Sequence, residues 1–144
     1  MRIRPMEIAD LQQVCAIEND SFSEPWSRES FQNEIENERR IYLVAEEEGQ
    51  ILGYCGMWEI AGEGQITNVA VRRQSRGKGI AGSLFDTLIQ SGMEKGLTSF
   101  TLEVRVSNHA AIALYEKFGF QSAGIRKDFY DHPKEDAFIM WKYV

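Results

Sequence analysis

The segment Gln65–Leu84, QITNVAVRRQSRGKGIAGSL, is the most informative part of this chain. It begins as an alternating, β-branched run typical of a strand, continues through a basic turn, and ends as the start of an amphipathic helix. Gly77 and Gly79 lie in the turn. The first N–H groups of a helix have no partner within the helix, and the helix dipole adds partial positive charge at the same place. The turn therefore predicts a binding site for a phosphate group.

Charge is distributed unevenly along the chain. Four cations lie within seven residues of the turn: Arg72, Arg73, Arg76 and Lys78. The net charge is −6, yet residues 1–64 hold 14 acids and 5 bases, whereas residues 65–144 hold 8 acids and 11 bases. This asymmetry argues against direct nucleic-acid binding, which favours a basic face overall. It fits an anionic cofactor beside a cationic substrate, although solvated surface charge explains the acidic half equally well.

The composition predicts one soluble domain spanning residues 1–144. The chain is 43% hydrophobic and 26% charged, as in a globular protein. No apolar run approaches the roughly 18–20 residues needed to cross a bilayer, and the charged N-terminus is unlike a signal peptide. Cys15 and Cys55 are isolated, which fits a reducing cytoplasm. His109 and His132 have no partners at ligand spacing, so no metal site is expected.

The order of helical and strand patterns predicts a mixed α+β sheet. Apolar spacing gives a helix around Leu11–Glu18, and Ser27 is predicted to cap a second one. The remaining predicted elements are strands at Ile41–Glu46, Ile51–Glu59 and Gln65–Val71, a helix from Ile80 to near Gly96, a strand at Ser99–Val106, a helix at Ala110–Phe118, and closing strands at Gln121–Tyr130 and Glu135–Tyr143. A loop containing Gly62 and Gly64 is expected before the third of these strands.

The glycine turn has two interpretations. Gly77-x-Gly79-x-x-Gly82 matches the dinucleotide fingerprint, and Glu103 supplies an acid about 20 residues further on. Five residues separate Val71 from Gly77, however, whereas the dinucleotide turn is tight. The chain is also too short for two mononucleotide-binding halves and a substrate domain. The alternative is a loop of small residues whose successive amides surround a pyrophosphate.

The second interpretation is strengthened by a resemblance. The loop RGKGIA, Arg76–Ala81, is similar to the coenzyme A loop of the GNAT acetyltransferases, whose form is Gln/Arg-x-x-Gly-x-Gly/Ala. The surrounding segments, in order and spacing, resemble the bacterial RimI group, the ribosomal-protein alanine N-acetyltransferases: Asn68–Val71, Leu102–Arg105, Asn108–Phe120, Phe22–Ser27, and Tyr130 with Glu135–Ala137. The resemblance covers nearly the whole chain. It implies the GNAT fold, a mostly antiparallel twisted sheet of about seven strands flanked by about four helices.

The resemblance also implies that acetyl-CoA is the co-substrate. The backbone around Val69, Ala70 and Val71 would then pair with the pantetheine arm, and an N–H there would polarise the acetyl carbonyl. The diphosphate would be held by the loop residues Arg76, Gly77, Lys78, Gly79, Ile80 and Ala81. The Asn108 side chain would contact the pantetheine.

Two residues are the candidates for proton transfer. Glu103 lies between Leu102 and Val104 on the opposite strand face, and it is the candidate base that deprotonates the acceptor amine, directly or through a water. Tyr115 lies seven residues after Asn108, on the same helix face, and it is the candidate acid for the leaving thiolate. From the pattern alone, Glu103 is also compatible with an exposed strand residue paired with a cation. Tyr115 is likewise compatible with a core tyrosine.

The acceptor implied by the resemblance is the N-terminal α-amine of a protein, specifically the N-terminal alanine of a small-subunit ribosomal protein. Trp26, Tyr130 and Glu135 are the expected substrate contacts, on two walls of a cleft. Trp26 also fits a hydrophobic staple with Phe31. A lysine side chain or a small-molecule amine remains an alternative acceptor. A dinucleotide-dependent oxidoreductase and a non-catalytic cofactor-sensing module are alternatives of other classes.

Overall fold

The computed structural model describes residues 1–144, which form seven strands and four α-helices. The strands are β1 (Arg2–Pro5), β2 (Arg40–Glu47), β3 (Gln50–Ile60), β4 (Glu63–Val71), β5 (Ser99–Arg105), β6 (Gln121–Asp131) and β7 (Lys134–Tyr143). The helices are α1 (Leu11–Ser21), α2 (Arg28–Ile35), α3 (Ile80–Glu94) and α4 (His109–Lys117). Short 3-10 turns precede α1 at Ile8–Asp10 and follow β4 at Arg73–Ser75. No helix is long and apolar enough to cross a membrane.

All seven strands belong to one sheet in the order β1-β2-β3-β4-β5-β7-β6. Only the β4–β5 pair is parallel, and the other five pairs are antiparallel. The predicted mixed α+β sheet is therefore confirmed. The dinucleotide-binding interpretation is wrong, because that fold requires a mostly parallel, doubly wound sheet.

Helices cover both faces of the sheet because the central strands alternate their side chains between two apolar clusters. Leu43 and Cys55 belong to the larger cluster, together with the apolar face of α3. Val44 and Tyr54, their neighbours in sequence, belong to the smaller cluster with α1 and α2. The sheet therefore separates an α3/α4 side from an α1/α2 side.

Helix α2 begins as its sequence predicts. The Ser27 hydroxyl accepts a hydrogen bond from the Ser30 N–H at 3.1 Å. The Trp26 and Phe31 rings lie 5.4 Å apart between centroids, which forms the predicted staple. This contact fixes the direction in which the Phe22–Trp26 segment enters α2.

Strand β4 begins earlier than predicted, because Gly64 is part of the strand and not of a loop. A Cβ built on Gly64 would lie 2.6 Å from the Met57 Sδ and 2.7 Å from a Phe100 ring carbon. Side chains from both neighbouring strands occupy the space beside it. Glycine is present here for close packing, a demand that the sequence pattern does not reveal.

Candidate active site

The sheet opens between β4 and β5. Their parallel pairing runs from Glu63–Ser99 to Gln65–Thr101 and then stops. Beyond that point Asn68–Val71 of β4 pairs only with β3, and Glu103–Arg105 of β5 pairs only with β7. The two facing edges make no ladder hydrogen bonds to each other and are available to another group, apart from the Val71 carbonyl, which accepts from Arg76.

A groove of about 810 Å³ extends from this opening across the start of α3, and we call it the turn groove. Nine residues predicted from the sequence to bind a cofactor line it: Val69, Ala70, Val71, Arg76, Gly77, Gly79, Ile80, Ala81 and Asn108. Lys78, the tenth predicted residue, is exposed and does not line it. The groove thus joins a free strand edge to the beginning of a helix.

The two glycines give the turn its shape. Gly77 has φ +79° and Gly79 has φ +80°, both in the left-handed region that glycine adopts without strain. Gly79 precedes the first residue of α3 and has no side chain with which to cap the helix. A Cβ at either glycine would meet nothing within 4 Å, so backbone conformation, and not packing, requires glycine here. The first amides of α3 remain available to an anion.

Most of the cations around the turn bind other parts of the protein. Arg76 donates to the Val71 carbonyl at 3.0 Å. Arg72 donates to the Ile51 carbonyl at 2.9 Å, and Arg73 forms an ion pair with Asp20 at 3.0 Å. These arginines position the turn relative to β3, β4 and α1. The positive end of α3 is consequently the principal local feature that favours an anion in the groove.

A second cavity of about 360 Å³, the adjoining cavity, lies next to the turn groove. Six residues line both spaces: Ser21, Phe22, Val69, Asn108, Ala111 and Tyr115. Two reactants lying in the two spaces would meet beside these residues. Asn108 also accepts a hydrogen bond from the Ala111 N–H at 3.2 Å, so it caps α4 where the two cavities join.

Tyr115 lies where the two cavities meet. Its ring is 9% exposed and packs 5.1 Å from the Phe85 ring and 6.3 Å from the Phe120 ring. Burial raises the pKa of Tyr115 well above its ordinary value. The phenol therefore stays protonated at neutral pH and is able to donate a proton.

Glu103 faces the adjoining cavity from β5. Leu102 and Val104 point into the core on the α3/α4 side, so the alternation of the strand directs Glu103 to the α1/α2 side. Its carboxylate is one-third exposed and lies 3.7 Å from the Arg126 guanidinium. The residue thus combines the two environments expected from sequence, a cavity wall and an ion pair with a cation.

Two of the three predicted substrate contacts line the adjoining cavity, and the third supports its wall. Trp26 and Tyr130 line the adjoining cavity, but Glu135 does not. The Glu135 carboxylate accepts from the Ser107 N–H at 2.8 Å and from Arg105 at 3.2 Å. Hydrogen bonding by the Ser107 side chain is the largest cause that lowers the pKa of Glu135, and the Ser107 N–H and Arg105 lower it further.

Arg105 joins these elements into one wall. Its guanidinium lies 4.2 Å above the Tyr130 ring and donates to the Pro133 carbonyl at 2.8 Å. Burial raises the pKa of Tyr130 to about 12. Glu135 therefore supports Tyr130 through Arg105 and does not itself face the cavity.

The two walls of the adjoining cavity touch each other. Ser23, in the loop between α1 and α2, donates to the carbonyl of His132 in the β6–β7 turn. The His132 ring also lies 3.5 Å from the Glu24 carboxylate. We call these contacts the loop bridge. They connect residues that are far apart in sequence, and no local pattern predicts them.

Sequence reasoning also missed two buried polar residues in the adjoining cavity, Glu18 and Asn68. Glu18 was visible in the pattern as a charged residue on the apolar stripe of α1, beside Leu11 and Val14. Asn68 interrupts the apolar run of β4. A charged or amide side chain inside an apolar stripe is the signal that identifies both.

Residues 11–120 match the family model for the acetyltransferase (GNAT) family. The chain belongs to the GNAT acetyltransferase family. A ribosomal protein bS18-alanine N-acetyltransferase from Escherichia coli is 33% identical over 140 residues, covering 96% of this chain and 94% of that protein. A Bacillus subtilis protein, provisionally named for the same activity, is 44% identical and covers 96% of this chain and 93% of its own length.

The solved structures agree with this assignment. The crystal structure of the ribosomal-protein-S18-alanine N-acetyltransferase from Escherichia coli superposes with a TM-score of 0.91 at 32% identity. The superposition covers 99% of this chain and 93% of that one. Both the fold expected from the resemblance and the enzyme class, an N-acetyltransferase, are confirmed.

Proposed function

We propose that this enzyme transfers the acetyl group of acetyl-CoA to the N-terminal α-amine of a protein, in the cytoplasm. The N-terminal alanine of ribosomal protein bS18 is the proposed target, as in the names of the relatives. The observation that carries the proposal is the meeting of the turn groove and the adjoining cavity at Tyr115, with Glu103 on the wall of the second.

Acetyl-CoA occupies the turn groove in this proposal. Its diphosphate binds the amides of the Arg76–Ala81 turn at the positive end of α3. Its pantetheine extends along the free edge of β4 beside Val69 and Val71, much as an added strand would. This places the thioester near the junction of the two cavities. An N–H of β4 then stabilises the oxyanion that develops on the acetyl carbonyl.

The reaction then proceeds by direct attack. The α-amine loses a proton to Glu103, directly or through a water, and its nitrogen attacks the thioester carbon. The C–N bond forms as the C–S bond breaks, and Tyr115 donates its phenolic proton to the departing sulfur. The nitrogen then loses its second proton, which restores the Tyr115 phenol, and Glu103 releases the first proton to solvent. The products are the N-acetylated chain and free coenzyme A. No covalent enzyme intermediate is formed, in agreement with the buried, apolar position of Cys55.

The loop bridge supports an α-amine acceptor over an internal lysine. Ser23 and His132 join the two cavity walls, so a peptide enters the adjoining cavity by its end. A lysine in the middle of a chain has backbone on both sides, and a cavity with joined walls favours a chain end over such a segment. The acidic cavity wall, with Glu24, Glu103 and Asp131, suits a positively charged peptide end.

The test compares two peptides with the same sequence from the N-terminus of bS18. One has a free N-terminal alanine and the other is N-blocked, and both contain one lysine. Thiol release and mass spectrometry should locate one acetyl group on the free alanine and none on the blocked peptide. Preferred acetylation of the lysine would support the alternative acceptor. Binding of acetyl-CoA with no thiol release from any amine would support a non-catalytic sensor.

A further inference from the structure

Glu18 is a buried carboxylate without a counter-ion. Its side chain is 1% exposed, and it takes part in none of the ion pairs of the structure. Asp10, the other buried acid, is paired with Arg4 at 2.8 Å. Burying a charge is costly unless it is paired or well hydrogen-bonded. The unpaired position of Glu18 therefore calls for an explanation.

Three neutral donors surround this carboxylate. The Trp26 N–H donates to its Oε2 at 2.9 Å, and the Asn68 Nδ2 donates to its Oε1 at 3.2 Å. The Tyr54 hydroxyl also donates to Oε1. Burial, together with the charge of Glu18, raises the pKa of Tyr54, so its hydroxyl remains a donor. An ionised carboxylate offers about four acceptor positions, so one position is left on Oε2.

Asn68 supplies a second unused acceptor. The hydrogen bond to Glu18 fixes which end of the amide faces the carboxylate and leaves the Asn68 Oδ1 on the other side. This oxygen is the only buried side-chain nitrogen or oxygen atom without a hydrogen-bond partner. Native proteins satisfy nearly all such groups, so an orphaned one indicates a missing partner. Glu18 and Asn68 both line the adjoining cavity.

The groups around the cavity add to the negative charge. The loop contributes Glu24, β5 contributes Glu103 and β6 contributes Asp131, whereas Arg105, the only cation that lines the cavity, is paired with Glu135. Outside the lining, Arg126 lies 3.7 Å from Glu103, and the His132 ring lies 3.5 Å from Glu24. The remaining titratable neighbours are phenols and one thiol: Tyr54, Tyr115, Tyr130 and Cys15. The cavity is thus lined mainly by acceptors and anions, and its unmet requirement is a cationic donor.

We propose that Glu18 and Asn68 form an ammonium subsite that binds the protonated amine of the acceptor before it reacts. This inference rests on the proposed function, because it assumes that an amine enters the adjoining cavity. An α-amine has an ordinary pKa of about 7.7–8.0 and arrives mostly protonated at neutral pH. The Glu18 charge attracts it, and Glu103, which lines the same cavity from β5, then removes the proton.

The subsite separates binding from chemistry. An ammonium held by Glu18 is bound more tightly but must still be deprotonated before attack. Loss of the Glu18 charge therefore weakens peptide binding without a matching loss of turnover. It leaves acetyl-CoA binding unchanged, because Glu18 does not line the turn groove.

The experiment measures the dissociation constant of the bS18 peptide in the presence of coenzyme A, which permits no transfer. The same peptide with a hydroxyl in place of its α-amine is the uncharged probe. The wild-type enzyme should prefer the amine by about 10-fold at pH 6, and the preference should fade by about pH 9 as the amine loses its proton. Glu18→Gln should lose the preference, whereas Tyr54→Phe, which removes a donor and keeps the charge, should retain it.

An unchanged preference and pH dependence in Glu18→Gln would overturn the proposal. If Glu18→Gln does not fold, Glu103→Gln provides the test. The subsite predicts that Glu103→Gln retains the preference for the amine. Loss of that preference would assign ammonium binding to Glu103. A preliminary turnover assay of the wild-type enzyme distinguishes failure of the proposed function from failure of the ammonium subsite. Absence of peptide acetylation would refute the proposed function, whereas acetylation without an effect of Glu18 on binding would refute only the subsite.

Discussion

Glu103 and Tyr115 face the same cavity from different elements, one from β5 and the other from α4. Glu103 is partly exposed beside Arg126, whereas Tyr115 is buried against Phe85. The exposed carboxylate is suited to accept a proton and the buried phenol to donate one. The proposed roles of the two residues follow from this difference in environment.

Glu103→Gln should lower kcat by about 10²–10⁴-fold at neutral pH, because it removes the proposed base. Activity should recover partly at higher pH, where the acceptor amine loses its proton without help. The measurement is kcat as a function of pH with the bS18 peptide. Arg126→Gln is the control, since it breaks the ion pair but leaves the carboxylate. A loss that does not vary with pH, or that Arg126→Gln reproduces, would assign Glu103 a structural role.

Tyr115→Phe should lower turnover by about 10²–10⁴-fold if proton donation to the leaving sulfur limits the rate. The ring contacts with Phe85 and Phe120 persist in this variant, so acetyl-CoA affinity and melting temperature should remain near those of the wild-type enzyme. Unchanged turnover would leave Tyr115 as a core residue only.

The pH profile of the wild-type enzyme gives a second test of Tyr115. An ordinary tyrosine ionises at about pH 10, and burial moves the pKa of Tyr115 above that value. An acid with a raised pKa keeps its proton to higher pH, so kcat should show no loss attributable to Tyr115 up to about pH 10. A tyrosine absorbance change below that pH that is absent from Tyr115→Phe would contradict this assignment.

Gly79→Ala should weaken acetyl-CoA binding by altering the turn that presents the α3 amides. Alanine at φ +80° costs about 1–2 kcal/mol, and relief of that strain displaces the amides. Gly49→Ala is the matched control, since Gly49 has φ +81°, equally open surroundings, and a position in the remote β2–β3 turn. Titration calorimetry should show lower affinity only for Gly79→Ala. Equal affinities would disprove the role of the turn.

Asp10→Asn should destabilise the fold at neutral pH by about 1.5–3 kcal/mol, the usual contribution of hydrogen bonds to a charged group. Burial alone would raise the pKa of Asp10, but hydrogen bonds from Arg4 and from the Glu7 N–H lower it. A lowered pKa means that the stabilisation is complete above the unfolded value of about 3.9 and is lost as pH falls through the folded value.

Urea unfolding at several pH values tests this contribution. The difference between the wild-type protein and Asp10→Asn should shrink as the solution is acidified. Asp20→Asn is the control, because the Asp20–Arg73 pair is largely exposed and such pairs contribute little. Equal effects of the two substitutions would refute the account of the Arg4–Asp10 pair.

Local patterns were sufficient for the elements and for much of the turn groove. Strand alternation, the Ser27 cap and Gly77 with Gly79 each act within a few residues of sequence. The same kind of reasoning gave the orientation of Glu103, because alternation around Leu102 and Val104 fixes the strand face. These features depend on backbone geometry that neighbouring residues determine.

Long-range contacts were beyond such reasoning. The Ser23–His132 bridge and the support of Tyr130 by Arg105 join segments that meet only after the sheet has assembled. Strand β7 lies between β5 and β6, an arrangement that no local pattern predicts. Tertiary packing decides all three features.

A crystal structure of the enzyme with bound acetyl-CoA would show whether the turn groove holds the co-substrate. The diphosphate should contact the main-chain amides of Arg76–Ala81, and the pantetheine should follow β4 beside Val69 and Val71. The acetyl carbon should then lie at the junction of the two cavities, between Glu103 and Tyr115. A diphosphate bound elsewhere, or an acetyl group directed away from the adjoining cavity, would contradict this arrangement.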